Sequence, residues 1–195
     1  MPTLKSLCVF CGSADHLNPE YTHSATALGR LLANEKIHLI FGGGKTGLMG
    51  VVASACLESG GHVVGVITPD LDTPALAFTG GFEKVVMPDL DSRKTRMREL
   101  ADGFIILPGG FGTLDEFFST LTLAQLGLHA KPIGLLNTRS YFDPLMAVLK
   151  HALVEEFIYP EHLELVRVED EPPDLLAALR SYQLPDNLPR WVVRE

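Results

Sequence analysis

The chain has 195 residues, 46% of them hydrophobic and 21% charged, and its 16 lysines and arginines against 24 aspartates and glutamates give a net charge of −8. That length suits one domain with a core of its own, and the composition excludes a disordered or fibrous chain. The acidic balance removes the broad basic face that nonspecific nucleic-acid binding needs, and no apolar run reaches the roughly 18 residues of a membrane span.

In chain order, the first apolar run, residues 5–11, reads as a strand. It carries Cys8 and Cys11 at a C-x-x-C spacing, but an odd offset on a strand sends two side chains to opposite faces. With an odd total of three cysteines and no second C-x-x-C, buried thiols are expected rather than a disulfide framework or a zinc site. The preceding residues hold no long apolar segment ending at a small-residue cleavage site, so a cytoplasmic protein is expected. Further strands are expected at 37–41, 62–67, 83–87, 103–107, 132–136 and 164–168, alternating with helices at 19–34, 46–59, 92–101, 113–127, 142–154 and 173–182. Segment 69–82 reads as a long loop, and 184–195, with Pro185 and Pro189, as a surface tail. Strands as continuously apolar as Val63–Ile67 imply burial on both faces. Alternation with helices then implies right-handed βαβ units: a single-domain, Rossmann-like, doubly wound parallel α/β sheet. Ligands of such sheets sit at the carboxyl ends of the strands, where the loops after Phe41 and Leu107 and the segment before Arg93 converge.

FGGGKTGLMG, residues 41–50, imitates two phosphate motifs. A Walker A loop needs a glycine five positions before Gly44, where Leu39 stands. Gly42, Gly44 and Gly47 fit G-x-G-x-x-G, but the acidic residue expected at the end of the next strand is replaced by Thr68-Pro69, a poor clamp for a ribose diol. What remains open is a close-approach loop for a phosphate or ribose, involving Gly43 and Gly44, or tight-turn chemistry alone. Next, DLDSRKTRMREL gathers Arg93, Lys94, Arg96 and Arg98. With Asp91 or Ser92 as N-cap, Arg93 and Lys94 would fall in a helix's first turn, against the dipole, a conflict that a bound anion would relieve. Arg93 shares a face with Met97, Leu100 and Ala101, whereas Arg96 and Arg98 read as solvated. Finally, FIILPGGFGTLDEFF, residues 104–118, passes from an apolar strand through Gly109, Gly110, Phe111 and Gly112 into a helix opened by Thr113. Such a turn presents backbone N–H groups and the positive helix end to an anion. Thr113-x-x-Glu116 is also a capping box, with Asp115 complementing the dipole. The other reading makes Glu116 a carboxylate beside a sugar phosphate, stabilising charge on the sugar or activating water.

Taken together, PGGFGTLDE, VFCGS at 9–13, FGGGKTGLMG, SRKTRM at 92–97 and TLAQLGLHAKPIGLLN at 122–137 resemble the LOG family of phosphoribohydrolases, often labelled lysine decarboxylases, over about residues 5–183. The resemblance implies a Rossmann-like homodimer that cleaves the N-glycosidic bond of N6-modified AMP or AMP, releasing base and ribose 5-phosphate, without metal or other cofactor. By the same resemblance, Arg93 and Glu116 match the catalytic pair. Lys94, the turn Gly109, Gly110, Phe111, Gly112 and Thr113, and Thr122 match nucleotide-binding positions; Gly43, Gly44 and Asp115 complete the expected binding set. The rival function is a non-catalytic carrier of the same fold, such as a molybdenum-cofactor carrier. Departures from the family pattern are Asp91 where a histidine is frequent, the added charge of Lys45, and loop 69–82, which bears on the preferred base. The helix from 113 is too apolar around its circumference for one buried stripe, which points to a partner subunit.

Overall fold

Seven short strands assemble into one sheet, with helices in the connections between them, in a computed structural model that describes residues 4–186 and Leu188. The strands are β1 (Ser6–Phe10), β2 (His38–Phe41), β3 (Val63–Ile67), β4 (Glu83–Val86), β5 (Gly103–Ile106), β6 (Ile133–Leu136) and β7 (Val166–Glu169). All neighbours pair in parallel, in the order β4-β3-β2-β1-β5-β6-β7. The helices are α1 (Pro19–Asn34), α2 (Gly47–Glu58), α3 (Leu90–Leu100), α4 (Phe111–Gln125), α5 (Asp143–Val154), the single turn α6 (Pro160–Leu163) and α7 (Pro172–Arg180). Each expected strand and each of the six expected helices is present; α6 and a 3-10 turn at Thr138–Ser140 are additional. Most of the tail, residue 187 and residues 189–195, lies outside the described residues.

The two sheet faces bury separate apolar layers. Leu28 and Leu32 of α1, Leu48 and Val52 of α2, and Leu175 and Leu179 of α7 pack on one face with Leu39 and Ile105. Met97 of α3 and Phe117 and Ala124 of α4 pack on the other with Ile40, Phe104 and Ile106. Alternation along β1 sends Cys8 to the second layer and Cys11 to the first, as their odd spacing requires. The three cysteines are buried and unpaired. Among the described residues, no helix is long and apolar enough to cross a membrane.

Chain order reverses at β1, which lies between β2 and β5. Crossovers leave β1 and β5 on opposite sides of the sheet, so their carboxyl ends part and open a crevice at this switch point. The loops at Gly12-Ser13 and Pro108–Gly110 form its mouth, joined where the Gly12 N–H donates to the Pro108 carbonyl at 3.0 Å.

Candidate active site

The cleft at the switch point, about 290 Å³, is lined by Gly12 and Ser13 after β1, Gly42 and Met49 around the glycine loop, Leu71, Arg93 of α3, and Gly110–Thr113 and Glu116 of α4. A neighbouring chamber of about 190 Å³ shares Ser13, Gly42, Met49, Leu71 and Arg93 in its lining, and extends to Gly44, Ile67 and Leu76.

Arg93 reaches the cleft because α3 starts earlier than its sequence suggests. The N-cap is Asp89, not Asp91 or Ser92: its carboxylate accepts from the Ser92 N–H at 2.7 Å and from the Ser92 hydroxyl at 2.9 Å. Arg93 is therefore the fourth helical residue, not part of an exposed first turn, and with Met97 it forms the buried face of α3. Its guanidinium is held by three elements. Nε donates to the Val66 carbonyl of β3 at 2.9 Å, Nη2 to the Gly42 carbonyl at 3.2 Å, and Nη1 to Glu116 Oε1 at 3.2 Å.

Glu116 is available for that pairing because the capping box does not form. The N-cap of α4 is Gly110, without a side-chain cap, so Thr113 is already the third helical residue and is buried. In this register the Glu116 side chain lies a full turn inside the helix, beyond reach of the cap, and turns to Arg93. The first turn leaves the N–H groups of Phe111, Gly112 and Thr113 without intrahelical acceptors, opening onto the cleft. Gly109 is required for this approach: a Cβ there would stand 2.2 Å from Thr113 Oγ1 and 2.7 Å from the Gly12 nitrogen.

Burial pushes the Glu116 carboxyl above the usual glutamate range, an effect that Arg93 partly opposes. Cys11 also lines the cleft, but burial raises its thiol well above the ordinary range and so favours the neutral form. Among the described lining residues, Glu116 is the one carboxylate and Arg93 the one cation.

Several expected binding residues lie outside this cleft. Lys94 and Asp115 pair with each other at 2.9 Å, and Lys94 also contacts Asp91 at 3.3 Å, forming an outer bridge between α3 and α4 beside the inner Arg93–Glu116 bridge. Thr122 is exposed on α4 and absent from the cleft lining. Gly44 borders the side chamber, but Gly43 lines neither space, and its carbonyl accepts from the Phe78 N–H at 2.8 Å. Loop 69–82 folds onto the glycine loop: the Lys45 N–H donates to the Leu76 carbonyl, and the Lys45 ammonium caps the Pro74 carbonyl.

Sequence reasoning missed Asp15. Its carboxylate accepts from the Gly47 N–H at 3.0 Å, and the Gly12 carbonyl accepts from the Leu48 N–H at 2.9 Å. The start of α2 is thus satisfied internally, whereas that of α4 is open. A contact spanning 32 residues has no local signature. Ser13 and Gly12 belong to VFCGS, a motif that marked the family without revealing a role.

Fold and site define a Rossmann-like α/β protein in which a buried guanidinium–carboxylate pair faces an amide cradle at the switch point. A family profile described as possible lysine decarboxylase matches residues 49–179. A cytokinin riboside 5′-monophosphate phosphoribohydrolase of Rhodococcoides fascians is 45% identical over 181 residues, covering 92% of this chain and 91% of the relative. One of Arabidopsis thaliana is 39% identical over 179 residues, covering 92% and 82%. The chain belongs to this family. Among solved structures it is similar to the molybdenum cofactor binding protein of Rippkaea orientalis (TM-score 0.66, 21% identity, 90% of this chain and 95% of that one). It is also similar to the molybdenum cofactor carrier protein of Chlamydomonas reinhardtii (TM-score 0.67, 19% identity, the same coverages). At these identities the likeness concerns the fold alone.

Proposed function

We propose that this chain is a nucleoside 5′-monophosphate phosphoribohydrolase acting on N6-modified AMP, with AMP as the related smaller substrate. The observation that carries the reading is the Arg93–Glu116 pair, 3.2 Å apart beside the open N-terminus of α4. The phosphate monoester sits on the N–H groups of Phe111, Gly112 and Thr113, where helix dipole and free donors coincide. That remote binding energy holds the ribose beside Glu116. As the bond from C1′ to the base breaks, positive charge develops on the sugar, and the carboxylate stabilises it. Water then adds to C1′; Glu116 assists its deprotonation, and the departing base gains a proton. Nucleotide plus water gives base plus ribose 5-phosphate. Arg93 holds the carboxylate in place and orients the phosphoribosyl group.

The base then enters the side chamber between Met49, Ile67, Leu71 and Leu76, so loop 69–82 shapes base preference. A carrier with the fold of the solved neighbours would have no use for a buried Arg–Glu pair, which weighs against that alternative. Incubation with isopentenyl-AMP and with AMP should release free base and ribose 5-phosphate; absence of base from both would favour the carrier.

A second copy of this chain is the proposed partner. On α4, Phe118 is exposed, followed beyond the helix end by Leu126 and Leu128; on α5, Val148 and Val154 are exposed, and α5 buries none of its residues. A homodimer covering these faces would also bring new groups near Thr122. Light scattering at micromolar concentration should report twice the chain mass, and a monomer would refute the assignment. Three unpaired buried thiols fit a cytoplasmic location.

A further inference from the structure

Behind the phosphate turn lies a second cavity of about 310 Å³, lined by Leu17, Tyr21, Pro108, Gly109 and Tyr141 among others. Across it, the Tyr141 hydroxyl donates to the Gly109 carbonyl at 2.6 Å. We propose that Tyr141 is a positioning residue for the phosphate seat: by holding the Gly109 carbonyl, it aims the next N–H, that of Gly110, into the catalytic cleft. The inference rests on the phosphoribohydrolase reading.

The geometry follows from peptide planarity. The Gly109 carbonyl and the Gly110 N–H belong to one rigid unit and point in opposite directions. Gly110 borders both cavities, whereas Gly109 borders only the one behind the turn. A carbonyl fixed toward Tyr141 therefore turns the amide hydrogen the other way, to join those of the first turn of α4. Without that bond, a peptide flanked by two glycines is free to rotate, and a rotated peptide would present its oxygen to an anion.

The segment carrying Tyr141 is built to hold it there. Arg139 and Ser140 have φ of +58° and +55°, a conformation that non-glycine residues rarely adopt and that the surroundings must impose. Those surroundings are specific. Arg139 pairs with Glu20, the Thr138 hydroxyl donates to Ser24 Oγ at 2.8 Å, and the Asn137 side chain joins Asp143 and the Phe142 N–H. The Tyr141 ring packs edge-on against Tyr21 at 6.1 Å and Phe142 at 5.0 Å.

Tyr141→Phe keeps these ring contacts and deletes only the donor, so it separates positioning from packing. Ribose 5-phosphate binding, measured by calorimetry, should weaken about threefold to tenfold, the worth of one hydrogen bond. KM for isopentenyl-AMP should rise with it, with the protein still folded and its melting temperature lowered only by the small amount that one lost hydrogen bond brings. Binding and KM equal to wild type in Tyr141→Phe, with loss only in Tyr141→Ala, would reduce Tyr141 to packing and overturn the proposal while leaving the hydrolase reading intact. A wild-type protein that neither binds ribose 5-phosphate nor releases base would remove the seat, and both readings would fail together.

Discussion

Replacing Gly42 by alanine tests the position of Arg93 without touching either charged residue. A Cβ built on Gly42 stands 2.0 Å from Arg93 Nη2 and 3.3 Å from Cζ. Ordinary contact begins near 3.4 Å, so the guanidinium must retreat by about 3.4 − 2.0 = 1.4 Å. The retreat breaks the 3.2 Å bond to the Gly42 carbonyl and strains the one to Glu116, while the Nε bond to Val66 lies farther from the intrusion. The displaced end belongs to a flexible side chain facing a cleft, so water replaces part of what is lost. The net cost is about 1–2 kcal/mol, less a few tenths regained because alanine restricts the unfolded chain. For a chain of this length that lowers Tm by about 2–8 °C. Activity should suffer much more, because a displacement of about 1 Å in a positioned group costs on the order of 100-fold. Base release from isopentenyl-AMP, followed by chromatography beside a thermal melt, measures both. Full activity with Arg93 displaced would refute the claim that its placement matters. A loss matched by the unfolded fraction would show that the residue serves stability alone.

Glu116→Gln retains an acceptor for Arg93 but removes the charge; turnover should fall by about 10²–10⁴ while calorimetric binding of AMP persists, and retention of full turnover would remove Glu116 from the mechanism. Because burial raises the Glu116 carboxyl above its ordinary 4.5, the acid limb of kcat/KM that depends on Glu116 should lie above that value. The folded chain then holds this proton more tightly than the unfolded one, so this group's contribution to stability declines as pH rises from about 4.5 through the raised value. Denaturation midpoints of wild type and Glu116→Gln across that window check the sign. The three thiols should resist alkylation in the folded protein and react after unfolding, since Cys8 and Cys11 are raised strongly and Cys56 is pushed to about 11, all by burial. Rapid labelling of the native chain would contradict that burial.

The sheet was legible because its central strands are continuous apolar runs separated by helical periodicity, a signal that survives without tertiary information; the edge strands β4 and β7 carry charged residues and show it more weakly. Helix starts were less so. Asp89, Asp91 and Ser92 are all acceptable caps, and burial of Arg93 with Met97 selects the first. Thr113 and Glu116 have capping-box spacing, yet the close approach of Gly12 to Gly109 starts α4 two residues earlier and releases the glutamate. The pairing of Arg93 with Glu116, 23 positions apart, followed from motif resemblance and sheet topology rather than from any local rule. Asp15 and Tyr141 act across 32 positions each, through bonds to backbone that leave no imprint on composition or periodicity.

Two glycine turns lead into helices at the same edge of this sheet, and the chain supplies its own anion to one of them. With Asp15 tethered over the start of α2, an incoming pyrophosphate that sought both helix ends would have to evict a carboxylate held there at high local concentration. A single phosphoryl group meets no such competitor at α4. The G-x-G-x-x-G spacing around Gly44 thus leads into a helix start where the chain's own side chain already accepts an N–H.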